Sequence, residues 1–284
     1  ADSPYPARNP AQNRADILAQ IAACETGAQN IRAMYSEFGA PTVNAYVGFV
    51  QDNAEENVRQ VIDQIHDANF EVEMDCGAII RVTLGVNRDT RTLDLDFTGT
   101  SAQMNNNFNA PSAVCRAAVL YVFRCMVDAD IPMNEGCLKP INIKIPEGCL
   151  LAPEPAAAVV AGNVETSQAI CDALFGALGA MAACQGTMNN LTFGNEQLQY
   201  YETICGGAGA GDGFHGADAV HTHMTNSRLT DPEVLEWRFP VRLQNFSVRA
   251  GTGGSGLWHG GCGIKREIEF LQPMEASLLS GRRK

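Results

Sequence analysis

The chain has 284 residues, of which 45% are hydrophobic and 18% charged, and a formal net charge of −12. This length is enough for one large hydrophobic core or two modest ones. The acidic balance argues against a nucleic-acid partner, because phosphate neutralisation needs clustered Lys and Arg. No apolar run approaches the roughly 20 residues that cross a bilayer, and no secretory pattern opens the sequence. We therefore expect a soluble, cytoplasmic protein that binds neither nucleic acid nor membrane.

Residues 1–68 have the three- and four-residue apolar spacing of helices. The first apolar series stops at residues 39–41, a Gly-Ala-Pro sequence, and a second series follows until Asn69. The first series is Ile17, Ile21, Cys24, Ala28, Ile31, Tyr35 and Phe38, and the second is Val47, Val50, Ala54, Val58, Ile62 and Ile65. The pattern predicts a hairpin of two antiparallel helices as the first domain.

From residue 69 the apolar period changes to two, which is typical of strands. Apolar residues alternate in the segments 70–74, 80–86 and 93–97, and residues 87–91 supply a turn. This predicts a β-meander with one solvated face. Asp94 and Asp96 fall on the polar side, so we interpret them as solvated charges rather than a catalytic pair.

The remaining sequence mixes both periods. It predicts an apolar helix over residues 112–128, a short strand over 141–145 and a buried helix over 166–184, with Thr166 or Ser167 as its N-cap. Beyond Trp237 the sequence is strand-like and broken by glycine runs. Residues 69–284 are thus expected to form a mixed α/β (α+β) core with buried helices and a Gly-rich β part at its C-terminal end.

The ten cysteines are scattered and include no C-x-x-C pair, which favours reduced, buried thiols and excludes a zinc ribbon. The alternative is a nucleophile, and Cys205 is best placed for it because two glycines follow. The glycine-rich run 206–213 resembles a phosphate loop only weakly, since it lacks a Gly-Lys-Ser/Thr ending. A close-packed or flexible backbone turn is the favoured interpretation.

Three polar, glycine-punctuated patches, residues 161–168, 186–194 and 221–226, interrupt apolar sequence. Carboxylates in apolar surroundings have raised pKa values, as a general acid or base requires, so Glu165 and Glu202 are catalytic candidates together with His221 and His223. The start of the 166–184 helix would offer N–H donors to an anion, and asparagines would offer neutral donors. The substrate-binding candidates are Asn163, Thr166, Ser167, Asn189, Asn190 and Asn226.

His221 and His223 would lie on one face of a strand, roughly 7 Å apart. Asp212, His215 and Asp218 just upstream could complete a metal-ligand set with them. A substrate-facing role and simple structural hydrogen bonding remain open as alternatives. The metal ligands are therefore left unassigned.

Several of these segments together resemble the hydantoinase B/oxoprolinase family. The segments are residues 8–23, 96–101, 134–140, 161–168, 186–194, 200–211, 221–226, 238–240 and 260–263. The resemblance implies ATP-dependent opening of a lactam or hydantoin ring, with ATP on a separate hydantoinase A-type subunit or domain. A small cyclic amide would be the substrate, and we expect a homo-oligomer.

Three other functions remain open beside this one. They are a non-catalytic scaffold that docks the ATP-binding partner, an acetone carboxylase-like subunit, and a stand-alone cysteine amidase that uses Cys205. Members of the family also carry an N-terminal metal motif of the type Thr-His-x-x-Asp, which this sequence lacks. The chain is therefore expected to be part of a longer polypeptide and inactive alone, and a divalent metal of the family would bind outside it.

Overall fold

A computed structural model describes residues 10–281 of the chain. It begins with two helices, α1 (Pro10–Phe38) and α2 (Ala40–Ile62). Gly39 joins them with a φ of 78°, a left-handed conformation that glycine adopts readily. The two predicted helices are confirmed. Only α2 has buried residues, and its Ala54, Val58 and Ile62 belong to the same core as the sheet described next.

A four-stranded sheet follows, with the order β1 (Ala68–Glu73), β2 (Ile79–Asn87), β3 (Thr92–Asp96) and β4 (Ile141–Lys144). The first three strands are antiparallel neighbours, which confirms the meander, and β4 pairs in parallel with β3. Their solvated face carries the two predicted surface carboxylates. Asp96 accepts a hydrogen bond from Lys144 at 2.8 Å, and Asp94 accepts one from Asn142 at 2.8 Å.

Two apolar helices complete the main core. They are α3 (Ser112–Met126) and α4 (Ser167–Leu178). Helix α4 packs against β1 and β2 of the sheet, and α3 packs against α4. Nine consecutive residues of α4, from 167 to 175, are buried. This helix is therefore central to the main hydrophobic core.

The predicted start of α4 is confirmed, and its predicted C-terminal end is wrong. Thr166 occupies the N-cap position, but its backbone is helical and its side chain makes no capping hydrogen bond, because a π-helical turn, Gly162–Thr166, precedes α4 without a break. At the other end Gly179 takes a φ of 62°, a left-handed cap that stops the helix five residues before Cys184. The segment after Gly179 therefore leaves the helix axis and is free to line a cavity.

The second half of the chain forms two smaller sheets. One has the order β6 (Gln199–Thr203), β5 (Asn190–Gly194) and β9 (Glu275–Leu279), and the other pairs β7 (Val241–Val248) with β8 (Ile264–Phe270). A short helix, α5 (Pro232–Arg238), packs on β7. Phe193, Tyr200, Leu235 and Val241 form a second small core there. The mixed α/β class is confirmed.

The glycine-rich segments pack backbone against backbone. A Cβ added to Gly207 would lie 1.9 Å from the Gly261 carbonyl oxygen, and one added to Gly261 would lie 1.9 Å from the Ala217 oxygen. Hydrogen bonds from Gly261 N to Ala208 O and from Ala208 N to Ala217 O, 2.9 and 3.0 Å long, join the same segments. The favoured interpretation of residues 206–213 as a close-packed turn is confirmed.

A buried ion pair connects the two smaller sheets. Arg266 on β8 donates two hydrogen bonds to Glu202 on β6, at 2.7 and 3.0 Å, and the Tyr200 hydroxyl donates a third at 2.6 Å. The two charged side chains are 2% and 1% exposed. Glu202 is thus fully engaged in a structural network.

All ten cysteines lie within residues 10–281 and are free thiols, as predicted. Cys24 and Cys125 are exposed, so the expectation of burial holds only for part of the set. Among the described residues, no helix is both long and apolar enough to cross a membrane.

The glycine packing predicts a position-specific effect of a single methyl group. Gly261→Ala places a Cβ against backbone that cannot move independently, so we expect the free energy of unfolding to fall by about 1–3 kcal/mol. Gly263→Ala, two residues along the same segment, meets no atom within 4 Å and serves as the matched control. Urea denaturation of the two variants checks this. Equal urea midpoints for Gly261→Ala and Gly263→Ala would show that the close backbone packing at Gly261 does not limit stability.

The buried ion pair predicts that Glu202→Gln destabilises the protein strongly. The substitution leaves the Arg266 charge buried without a counter-charge, an effect worth about 3–5 kcal/mol. Glu267→Gln breaks an ion pair with Lys265 that is more than half exposed, for which we expect less than about 1 kcal/mol. Thermal denaturation of both variants distinguishes the two cases, and an unchanged midpoint in Glu202→Gln would show that the pair contributes nothing.

Candidate functional site

A cavity of about 690 Å³ opens beside the C-terminal end of α4. The chain leaving the helix at residues 182–185 forms one wall, and the glycine-rich segments 206–210 and 260–261 form another. Asn189, Arg249 and Trp258 add polar side chains to its lining. A cavity of this size with few convergent polar groups has the character of a small-molecule site.

Gln185 is the most unusual residue of this lining. Its amide nitrogen and oxygen are both buried and make no hydrogen bond within residues 10–281. Trp258 Nε1 on the same cavity is also unpartnered among those residues. Buried polar groups normally have partners, so these atoms are suited to a ligand that offers both a donor and an acceptor. The sequence carried no signal for Gln185, which lies outside the three polar patches.

Glu165 lies in the π-helical turn before α4 and is 3% exposed. It accepts hydrogen bonds from the Thr187 hydroxyl at 2.7 Å and from Asn190 Nδ2 at 3.4 Å. Burial raises the pKa of Glu165 to about 7, the Asp75 charge adds to this effect, and the Thr187 hydrogen bond opposes it. The sequence-based expectation of a carboxyl poised near neutrality is met at this position.

Glu165 borders a second, small cavity of about 40 Å³. Gln185 and Ser280 line both this space and the large cavity. The carboxyl of Glu165 and the unpartnered amide of Gln185 therefore belong to adjoining spaces. This juxtaposition can place a proton acceptor next to an amide-binding group.

The predicted substrate-binding residues separate into two groups. Asn189 lines the large cavity with a φ of 48°, and Asn190 joins the Glu165 network and accepts a hydrogen bond from Tyr201. The hydroxyls of Thr166 and Ser167 instead donate to backbone carbonyls, of Phe108 and Asn163 respectively. Asn163 and Asn226 are exposed. Among these residues, only Asn189 lines one of the two cavities, and Asn190 reaches Glu165 through its hydrogen bond.

His223 is held in a buried network on the second turn of α4. Its Nε2 lies 3.1 Å from Asp172 Oδ1, and the two side chains are 3% and 1% exposed. The ring stacks on Phe175 and meets Tyr121 edge-on. Burial alone would lower the pKa of His223, but hydrogen bonds to Asp172 and Cys184 raise it to about 9.

The expectation that His221 and His223 share a strand face is wrong. Residues 223–224 form a turn in which His223 has a φ of 52°. His221 belongs to a different environment, where burial lowers its pKa and the Glu202 charge opposes this, and its Nδ1 is buried without a partner among the described residues. The two rings therefore serve separate clusters.

The candidate metal-ligand set of Asp212, His215 and Asp218 with the two histidines is not brought together in the structure either. His215 Nδ1 accepts a hydrogen bond from the His259 backbone at 2.8 Å, and Asp218 accepts one from the Cys262 backbone at 2.6 Å. These hydrogen bonds hold the segment around residues 215–218 against the segment around residues 259–262. The two side chains therefore have a structural role.

Gln168 connects the 221–226 patch to α4. Its Nε2 donates to the Thr222 carbonyl and to the Thr225 hydroxyl, and its Oε1 accepts from the Met224 backbone, at 3.2, 2.7 and 3.2 Å. The 186–194 patch contacts the π-helical turn at Glu165, and the 221–226 patch contacts α4 at Gln168, one turn further along. They form adjoining clusters rather than a single pocket.

The two remaining catalytic candidates, Glu202 and Cys205, lie in environments that disfavour a catalytic role. Both oxygens of Glu202 accept hydrogen bonds, from Arg266 and Tyr200, and the ion pair with Arg266 favours the charged carboxylate over a proton-transfer role. Cys205 lines the large cavity, but burial raises the pKa of its thiol, which disfavours the nucleophilic thiolate. These contacts support Glu165 as the better proton-transfer candidate.

The chain is similar in sequence to several proteins named 5-oxoprolinase. Arabidopsis thaliana 5-oxoprolinase 1 is 46% identical over 95% of this chain and 23% of its own length. Dictyostelium discoideum 5-oxoprolinase is 44% identical over 97% of this chain and 22% of its own. Saccharomyces cerevisiae 5-oxoprolinase is 42% identical over 95% and 23%. The chain thus spans less than a quarter of each of these oxoprolinases.

Two solved structures share the fold. The ATP-dependent caprolactamase of Pseudomonas jessenii superposes with a TM-score of 0.76 at 20% identity, covering 92% of this chain and 49% of the other. Nucleotide-free acetone carboxylase gives 0.78 at 17% identity, covering 94% and 40%. A family model for Hydantoinase B/oxoprolinase matches residues 2–284. The chain belongs to the hydantoinase B/oxoprolinase family.

Proposed function

We propose that this chain forms part of the hydrolytic site of an ATP-dependent cyclic amidase of the 5-oxoprolinase type. The observation that carries the proposal is the 46% identity to a 5-oxoprolinase over 95% of the chain. Identity of that level over nearly the whole chain supports a shared chemistry, whereas the structural neighbours support only a shared fold. The substrate would be a small lactam or hydantoin.

The chemistry requires activation before hydrolysis. A lactam carbonyl is stabilised by resonance, and phosphorylation of its oxygen turns that oxygen into a leaving group. ATP donates this phosphoryl group and leaves as ADP. Water can then attack the ring carbon, and the ring opens when the C–N bond breaks and the nitrogen takes a proton, which leaves an acyl phosphate. A second water hydrolyses the acyl phosphate to the carboxylate and inorganic phosphate. We assign ATP binding to a hydantoinase A-type subunit or domain, because the glycine-rich run of this chain is close-packed backbone and lacks a phosphate-binding lysine.

Glu165 is the residue we propose as the general base for water. Its pKa near 7 leaves it able to accept a proton at neutral pH and to donate one afterwards. Gln185 next to it would receive the ring amide, since a lactam presents one N–H and one C=O on the same edge and a primary carboxamide presents the complement. Asn190 holds the Glu165 carboxyl in place.

The proposal predicts a selective loss of chemistry in Glu165→Gln. In the full-length enzyme with its ATP-binding partner, we expect ring-opening turnover to fall by about a hundredfold or more, the usual scale for a lost acid–base group. Glu196→Gln, an exposed glutamate between β5 and β6, is the matched control. Ring opening and ATP hydrolysis are measured separately. Unchanged ring opening in Glu165→Gln would favour the scaffold function instead.

The raised pKa of Glu165 also predicts how stability depends on pH. The carboxyl binds its proton more tightly in the folded protein, where its pKa is about 7, than in the unfolded chain, where the ordinary value is 4.5. Its contribution to stability is therefore lost as pH rises from 4.5 to 7. Glu165→Gln removes this loss, so the variant should gain stability relative to wild type between pH 5 and pH 8. Denaturation midpoints across that range check it, and a constant difference would contradict the assignment.

A further inference from the structure

We infer that Asp172, Cys184 and His223 form a binding site for a single divalent metal ion of the zinc class. One carboxylate oxygen, the thiol sulfur and one imidazole nitrogen all lie within 4.8 Å of one another. The three residues come from α4, from the segment after its C-terminal cap and from the turn at residues 223–224. The site is separate from the Glu165 network and from the proposed proton transfer there.

The spacing of the donor atoms suits tetrahedral coordination. Bonds of about 2.0–2.3 Å to sulfur, nitrogen and oxygen place ligand atoms roughly 3.3–3.8 Å apart. His223 Nε2 and Asp172 Oδ1 are already 3.1 Å apart, and side-chain adjustments of about an ångström would bring Cys184 to the same range. A metal can therefore be held between the imidazole and the carboxylate with only small movements of the side chains.

Each of the three side chains has an outer partner that fixes its direction. The Cys184 backbone N–H donates to Asp172 Oδ1 at 3.1 Å, and the Gly209 N–H donates to Cys184 Sγ at 3.2 Å. The Tyr121 hydroxyl lies 3.5 Å from His223 Nδ1. Orienting contacts of this kind accompany most protein metal ligands.

The charge of the site favours a divalent ion with a thiolate ligand. Asp172 and His223 are almost completely buried, and a carboxylate, a thiolate and a neutral imidazole around a divalent cation sum to zero. Thiolate and imidazole select zinc-like ions over Mg²⁺ and Ca²⁺. His223 also adopts a φ of 52°, which is strained for a residue with a Cβ and is typical of functional positions.

Three protein ligands leave one position of a tetrahedron for another group. Cys184 lines the 690 Å³ cavity, so water or a ligand from that cavity can occupy the fourth position. Catalytic zinc sites keep such an open position, whereas structural sites are closed by four protein ligands. The open arrangement predicts a metal that small molecules in the cavity can reach.

The test measures metal binding by the full-length protein after removal of metal with a chelator under reducing conditions. Zn²⁺ titration against a chromophoric chelator should give one tight site in addition to any at the family's N-terminal Thr-His-x-x-Asp motif, and Co²⁺ should give thiolate-to-metal charge-transfer absorption. Cys184→Ser and His223→Gln should each weaken Zn²⁺ binding by about a hundredfold or more and abolish that absorption. Cys205→Ser, in the same cavity wall, and His221→Gln, two residues from His223, are the matched controls and should bind as wild type.

Alkylation mapping keeps the test decisive where a variant does not fold. In the wild-type protein, Zn²⁺ should protect Cys184 from iodoacetamide while Cys262, which is exposed to a similar degree, stays reactive. The proposal is overturned if Zn²⁺ leaves Cys184 as reactive as before. It is equally overturned if Cys184→Ser binds Zn²⁺ with wild-type affinity.

Discussion

Polar side chains on the buried turns of a helix must find their hydrogen-bond partners inside the protein, and this requirement on α4 and the π-helical turn before it organises the candidate site. Glu165, Gln168 and Asp172 lie on successive turns and are 3%, 1% and 2% exposed. The segment between α4 and β5 satisfies Glu165 and Asp172, through Thr187 and Cys184, and the 221–226 segment satisfies Gln168, through Thr222. Because leaving any of these groups unpaired would destabilise the protein by about 1–3 kcal/mol, the loops are held where their other side chains meet.

Glycine makes this concentration of loops possible. The segments around residues 207, 216 and 261 approach one another so closely that a Cβ at any of them would overlap a carbonyl oxygen. Their backbones satisfy each other through hydrogen bonds such as Gly216 N to His259 O, at 2.8 Å. The result is a cavity wall that is firm although it has few side chains. The rigidity comes from the backbone, while the chemistry comes from α4 and the segment that follows it.

The sequence predicted the elements whose burial follows a simple period. The meander, α2 and α3 all bury residues at regular spacing, so the apolar pattern was sufficient. It failed at α4, where apolar residues continue past Gly179 because the chain stays near the core after the helix has ended. It also failed at His221 and His223, since the left-handed turn at His223 depends on contacts with α4 that are remote in sequence. The sequence pattern also missed Gln185, because its place in the cavity wall depends on contacts that are remote in sequence.

The segment between α4 and β5 connects the two chemical clusters that we propose. Cys184 faces Asp172 and His223, its neighbour Gln185 lines both cavities, and Thr187 donates to Glu165. A metal ion that fixes Cys184 would therefore also fix the backbone that positions Gln185 and Thr187, over at most three residues. Such a link makes metal binding and the geometry of the amide-binding cavity interdependent. The physical basis is local, because one short segment of backbone that is tied at both ends to the same helical region cannot shift at one residue without moving the next.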